Sequence, residues 1–586
     1  MSDAPRSGSD LLSRVSVRPS AAWRDARRDG YDGRSLRADL TAGLVVGIIA
    51  LPLSMALAIA SGVPPQYGLY TAIVAGALVA ALGGSRTQVS GPTAAFVVIL
   101  APIAAQFGLA GLAVATVLAG VIQICMALGG LGRLIQFIPY PVTTGFTAGI
   151  AIVIAVLQLR DFFGLTIEAM PETFVERVGA IASAMGTMRP AEVGIGAGTL
   201  AVLILWPRFT RRVPAPLVGL TLAAVAAVVL ERTIPGLDIA TIRDRFGAAG
   251  NPHGIPQSPP LPGLPWQFHA PGEAPLAMSF DVVRRLMLAS IAIALLGAIE
   301  SLLSAVVADS VTGDEHDPNT ELFAQGVGNV VVPFFGGFAA TGALARTSAN
   351  IRFGARSPLA AITHAAFVLL AMLLLAPLLG LLPMAALAAL LMRVAWTMGE
   401  ARHVAHTVRS SPRSDVIVLL VCLVLTVVFD MVVAVSVGVV LSSLLFMRRM
   451  ADIADVRLIT EHHHALDEPL PAGVVVYEIG GPLFFGAAQK AMAEIRTLRA
   501  NVRVVILDLR SVPVMDATGL VNLQSAIERL RKQRIDVILA GVQPQPLRVL
   551  ARGHARADHD AFTVSSSFEH AIDLARLRVD GVPAAS

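Results

Sequence analysis

The chain has 586 residues, of which 55% are hydrophobic and 15% charged, with a mean hydropathy of +0.69. A soluble protein of average makeup carries about 25% charged residues. Between Thr41 and Leu159 the only charged side chains are Arg86 and Arg133, which excludes a soluble body and calls for a bilayer. The net charge of +4 comes mostly from arginines in the tail and short loops. That distribution excludes a nucleic-acid groove and fits a positive-inside bias.

The first 39 residues are rich in Arg and Ser and lack an apolar core, so they read as a cytoplasmic tail and not a signal peptide. Seven apolar stretches follow, near 41–61, 66–83, 91–107, 109–129, 142–159, 192–207 and 216–230, each read as a membrane segment. A Pro-rich stretch, 231–281, contains Asn251-Pro252 and Pro259-Pro260-Leu261-Pro262 and reads as an irregular loop. Seven more segments are expected near 286–308, 321–337, 341–353, 358–382, 383–397, 415–434 and 436–447. Seven on each side of one long loop suggest a repeat, and an odd number per repeat makes the halves inverted. With the N-terminus inside, cytoplasmic loops carry Arg86, Arg133, Arg208, Arg211, Arg212, Arg352, Arg356, Arg402, Arg409, Arg413, Arg448 and Arg449. Both termini are then cytoplasmic and the Pro-rich loop periplasmic.

After Met450 the composition turns soluble. Strands are expected at 474–479, 502–509 and 535–542, with helices at 487–499 and 516–533, giving a small α/β domain. His462-His463-His464 lies in the linker before it and reads as a solvated polar stretch. Cys125 and Cys422 both sit in apolar runs and read as packing residues, with no disulfide framework.

The two lysines, Lys490 and Lys532, do not follow glycine; a GxxxxGK[ST] phosphate loop is absent, so ATP-driven transport by this chain alone is excluded. Two segments are too short and too interrupted to cross as plain helices: Ser90-Gly91-Pro92-Thr93-Ala94-Ala95, and 336–346 from Gly336-Gly337 to Arg346. Corresponding interruptions in two halves point to a midplane site. Two half-helix N-termini meeting there would aim free N–H groups at one spot and favour an anion. In 286–308 the one ionisable residue is Glu300, and helical spacing puts Gly297, Glu300, Ser301 and Ser304 on one face. A lone carboxylate at membrane depth is a candidate coupling group. Arg346, at the second half-helix, is its expected positive partner or a substrate contact.

These residues match a family. The run Leu51-Pro52 through Gly62-Val63-Pro64-Pro65-Gln66-Tyr67-Gly68-Leu69-Tyr70 resembles the sulfate permease signature of the SulP (solute carrier 26) anion transporters. So do Ser90–Thr93, the Ile299-Glu300-Ser301-Leu302-Leu303-Ser304 stripe and the stretch 344–348. The tail is similar to a STAS domain. The resemblance spans about 40–565. It implies an all-α polytopic membrane domain of about 14 segments in a seven-plus-seven inverted repeat, with core and gate parts, followed by an α/β STAS domain. It implies homodimers and elevator-like transport.

On this reading 1–39 is a tail, 40–450 the transport domain, 451–471 a linker, 472–570 the STAS domain and 571–586 a second tail. Stretches 91–100, 297–303, 426–440 and 481–485 look like the proton-coupled dicarboxylic acid transporters of the family, with bicarbonate and sulfate carriers or an anion channel as alternatives. Sodium-coupled members tend to have Asp where Glu300 stands, so H+ is expected ahead of Na+. The expected substrate site is Thr93, Ala94, Gly342, Ala343, Leu344 and Arg346, and the expected coupling pair Glu300 and Ser304. STAS antagonists carry a phosphorylated Ser after Met-Asp-x; in Met515-Asp516-Ala517-Thr518 that place is held by Thr518, which reads first as a helix cap. No catalytic residue, metal or cofactor is expected.

Overall fold

The computed structural model describes residues 17–135, 139–167, 170–171, 173–210, 213–248, 251–269, 276–429, 431–453, 455–459, 469–484, 502–554 and 562–580. The chain divides into two compact units, Met1–Val439 and Val440–Ser586.

The first unit is helical. It opens with α1 (Ala21–Arg28), α2 (Gly33–Ala60), α3 (Pro65–Leu82), strand β1 (Ser90–Gly91) and α4 (Ala94–Leu128). There follow α5 (Gly132–Ile135), α6 (Tyr140–Phe163), α7 (Phe174–Ala184), α8 (Pro190–Phe209), α9 (Ala215–Thr233) and α10 (Ile242–Phe246). The second group is α11 (Phe280–Thr312), α12 (Pro318–Val331), strand β2 (Thr341–Gly342), α13 (Leu344–Arg352), α14 (Leu359–Leu379), α15 (Met384–Gly399), α16 (Ala401–Ser410) and α17 (Arg413–Val428), and α18 (Met431–Ile453) runs across the boundary into the second unit. Among the described residues, 10 helices are long and apolar enough to cross a membrane. Eleven of the fourteen apolar segments read from the sequence fall on these helices, two of them on α4; the segments at 321–337, 341–353 and 415–434 fall on the shorter α12, α13 and α17.

The punctuation follows local chemistry. Asp32 caps α2 by accepting from the Ser35 N–H, Ser279 caps α11, and Asp317 caps α12 just ahead of Pro318. Inside α4, Gly108 leaves the helical region at φ 64°, ψ −167°, so this element is two helices joined at a break, where the sequence places separate segments. The expected helix 321–337 stops at Val331. Pro333 removes a donor and a short 3-10 turn, Val332–Phe335, carries the chain to Gly336.

Five helices of the first unit have no counterpart in the sequence reading: α1, α5, α7, α10 and α16. Serine and arginine content hides α1, which docks on the end of α3 through Ser20 N–H to Leu82 O and Ser20 Oγ to Ala81 O, both 2.8 Å. Arg86 joins it to the α11–α12 turn through Asp29 (2.6 Å) and Asp314 (3.5 Å). Between α1 and α2, the Tyr31 hydroxyl donates to fully buried Asp39 at 2.7 Å, and burial pushes the Tyr31 phenol up to about 12. Polar α7 and α16 lack an apolar span, and α10 is a single turn held by a Thr241–Asp244 capping box within the Pro-rich stretch.

The second unit is a five-stranded sheet of β3 (Asp455–Ile459), β4 (Val474–Gly480), β5 (Val504–Asp508), β6 (Asp536–Ala540) and β7 (Thr563–Ser565), in that order. Strands β4 to β7 are parallel and β3 pairs antiparallel with β4. Its helices are α19 (Ala517–Lys532), α20 (Pro544–His554) and α21 (Phe568–Asp580). Strand alternation sends Val505 and Leu507 to a core with Leu523, Ile527 and Leu550, and Val504 and Ile506 to a second core with Phe568 and Ala571. Both faces of the sheet are therefore covered. Strand β3 falls in the stretch read as a linker: five residues in a polar context give no usable period. His462–His464, Arg211, Arg212 and the expected helix 487–499 lie outside the described residues.

Candidate functional site

The two interrupted segments meet. Strand β1 pairs antiparallel with β2, Ser90 opposite Gly342 and Gly91 opposite Thr341, and the Ala343 N–H donates to Val89 O at 2.9 Å. Immediately after each strand a helix starts: α4 from Thr93 and α13 from Ala343, both extended residues, and neither makes a side-chain cap bond. First-turn N–H groups of both helices are thus left without a side-chain acceptor, and their positive dipole ends adjoin.

Helix α11 supplies the polar stripe expected of it. The Thr93 hydroxyl donates to Glu300 Oε2 at 2.9 Å, and both residues are partly exposed. Around them the stripe is buried and tied to the strand pair. Thr341 Oγ1 donates to Gly297 O (2.8 Å) and Gln88 Nε2 to Ser301 Oγ (2.7 Å). Ser304 Oγ donates to Thr347 Oγ1 (3.2 Å), which accepts from the Val89 N–H (3.1 Å). Ala94 and Ala343 are buried, whereas Leu344 is exposed.

Arg346 reaches the start of α4. It lies on the buried face of α13, 1% exposed, and donates to Pro92 O (2.9 Å) and Ser54 Oγ (3.3 Å). Among the described residues no ion pair joins it to Glu300. Its charge reaches the start of α4 through the carbonyl it holds. Residues the sequence did not single out hold the second strand. Asn329 on α12 donates to Ala340 O (3.0 Å) and accepts from the Ala340 N–H (2.8 Å). Gln325 donates to the same carbonyl (2.6 Å), and Gln123 accepts from Asn329 (2.9 Å). Each amide is a polar group inside an apolar span, and that was the available signal.

In the second unit Asp516 caps α19, accepting from the Gly519 N–H at 2.7 Å. Thr518, read as a cap, is exposed in the first turn instead; the cap role falls to the residue two positions earlier, whose backbone is extended as a cap requires. Among the described residues no group of three His, Cys, Asp or Glu side chains could hold a metal ion.

The fold and the site define a multi-pass membrane protein with a half-helix crossing and a C-terminal α/β domain. Residues 36–422 match the Sulfate permease family and 467–569 the STAS domain. The chain belongs to the sulfate permease family and carries a STAS domain. It is 37% identical over 526 residues to the putative sulfate transporter YvdB of Bacillus subtilis, covering 89% of this chain and 95% of that one. It is 31% identical over 542 residues to the bicarbonate transporter BicA of Picosynechococcus sp., covering 89% and 91%. The solved structure of SLC26A9 shares the fold, with TM-score 0.79 at 19% identity, covering 94% of this chain and 92% of that one. The transmembrane domain of a cyanobacterial BicA superposes with TM-score 0.57 at 28% identity, covering 70% and 98%.

Proposed function

We propose that this protein is a secondary active anion transporter of the bacterial inner membrane, with both termini cytoplasmic. The anion binds between the N-termini of α4 and α13, held by backbone N–H groups at Thr93, Ala94, Gly342 and Leu344 and lined by Ala343, whose own N–H is held by Val89 O. Arg346 adds its charge through the carbonyl of Pro92. Glu300, with Ser304 below it, couples movement to protons, and the part carrying α4, α11 and α13 moves as an elevator in a homodimer. The Thr93–Glu300 hydrogen bond carries this reading: a hydroxyl at the mouth of one half-helix touches the carboxylate on the stripe, so anion and proton would meet at one place.

Sulfate and bicarbonate are favoured by the names of the relatives, and C4-dicarboxylates such as succinate or fumarate by the stretches resembling the dicarboxylic acid transporter DauA. Uptake of labelled sulfate, bicarbonate and succinate into proteoliposomes, with and without pH and sodium gradients, separates them. Glu300→Gln keeps shape and hydrogen bonding but cannot ionise; it should still exchange anion yet lose accumulation driven by an inward proton gradient. Undiminished accumulation in that variant would remove Glu300 from the coupling path.

A further inference from the structure

Helix α15 carries one charged side chain, Arg393, in an otherwise uncharged run from Met384 to Gly399. At 1.5 Å per residue it stands about 14 Å along the helix, inside the stretch Met384–Ser410, which is long and apolar enough to cross a membrane. Its surroundings change there. Every residue of Met384–Leu391 is buried, so protein encloses that part of α15 on all sides. From Met392 burial gives way: Arg393 is partly exposed and Trp396 is 72% exposed.

The helix stands between two groups, packing on α6 and α8 and also on α2 and α4. Ala388, Ala389 and Met392 face Phe162, Phe163 and Leu200, and Gly399 lies against Ala151 of α6. Arg393 is one residue beyond Met392, about 100° further round, off the centre of that face. Unlike Arg346, its guanidinium has no hydrogen-bond or ion-pair partner among the described residues. A guanidinium at this depth keeps its charge only where water or an anion compensates it.

We infer that Arg393 is an anion-recruiting residue: a fixed cation in a water-filled cleft beside α15 that draws the anion along the path to the α4–α13 crossing. The inference rests on the transport reading for the destination of the anion. The partial exposure of Arg393 and its lack of a protein partner among the described residues stand apart from that reading. Arg393 positions and concentrates the anion, and the half-helix N-termini hold it.

Two measurements test this separately. In full-length protein with Cys125→Ser and Cys422→Ser, Arg393→Cys should react with both a negatively charged and a positively charged water-soluble methanethiosulfonate. No reaction with either reagent would place the side chain in lipid and overturn the inference. In proteoliposomes, Arg393→Gln should raise the KM for the anion that the parent transports at least about tenfold with a smaller change in kcat. Added salt should raise the parent's KM more than the variant's, and Arg393→Lys should restore much of the affinity. A KM and salt response equal to the parent's in Arg393→Gln would overturn the recruiting role. Should Arg393→Gln fail to fold, the Lys variant and its salt response carry the same test, since a side chain needed only for packing would not return a salt-sensitive KM. If the parent transports none of the labelled anions, the transport reading fails while the accessibility result stands.

Discussion

Replacing Gly342 by alanine should damage the strand pair from which both half-helices start. A Cβ there would lie 2.2 Å from Gln88 Nε2, 2.9 Å from Gln88 Cδ and 3.0 Å from the Ser301 Cα. The Ser301 backbone belongs to α11 and cannot give way, so the buried Gln88 amide must retreat by about 1 Å in an interior packed to crystal density. That movement breaks its 2.7 Å bond to Ser301. Overpacking costs about 1–3 kcal/mol and the lost hydrogen bond about 1 more, giving about 2–4 kcal/mol in all. Thermal unfolding of the purified protein, with binding of the transported anion measured alongside, reads both effects. Both should fall, and the double variant Gln88→Ala/Gly342→Ala should lose less than the sum of the single changes. Gly198→Ala is the control: nothing lies within 4 Å of a Cβ at Gly198, so no loss is expected. Parental melting and affinity in Gly342→Ala would refute the steric argument.

Ala343→Phe should abolish anion binding, because the ring would lie ahead of α13, and should also lower the melting temperature, since Ala343 is buried; unchanged affinity in the folded variant would move the anion elsewhere. A chain ending near Ile453 should still bind anion in detergent, with an altered rate or oligomer stability, and total loss of binding in a folded truncation would give the STAS domain a larger part. Asp516→Ala should cost the STAS domain about 1 kcal/mol, read as faster amide exchange in the first turn of α19; unchanged exchange would mean that the cap contributes nothing.

The fold was legible where the sequence departs sharply from average chemistry. Uncharged runs marked the membrane helices, and the glycines and Pro92 beside Thr93 marked both half-helix starts. Periodicity put Glu300 with Ser301 and Ser304 on one face, and the structure turns that face to the strand pair. What stayed hidden depends on partners far along the chain. Spacing gives the face of α13 on which Arg346 lies, but not that Pro92 O would occupy its guanidinium. Gln325 and Asn329 were not singled out, because their work is done on the backbone of Ala340. Strand β3 and helix α1 were missed because short polar elements owe their form to what they dock on.

The pairing of Ser90 with Gly342 has a consequence for how the protein is made. The two strands belong to opposite halves of the chain, so the crossing does not exist until the second half has left the ribosome and been inserted. A nascent chain holding only α1 to α9 has one half-helix and no partner strand for it; the long loop to β2 must close before that exposed edge is satisfied. With the anion bound at the crossing, as proposed, its affinity would report complete assembly, and a ligand present during synthesis would stabilise only chains that have finished it.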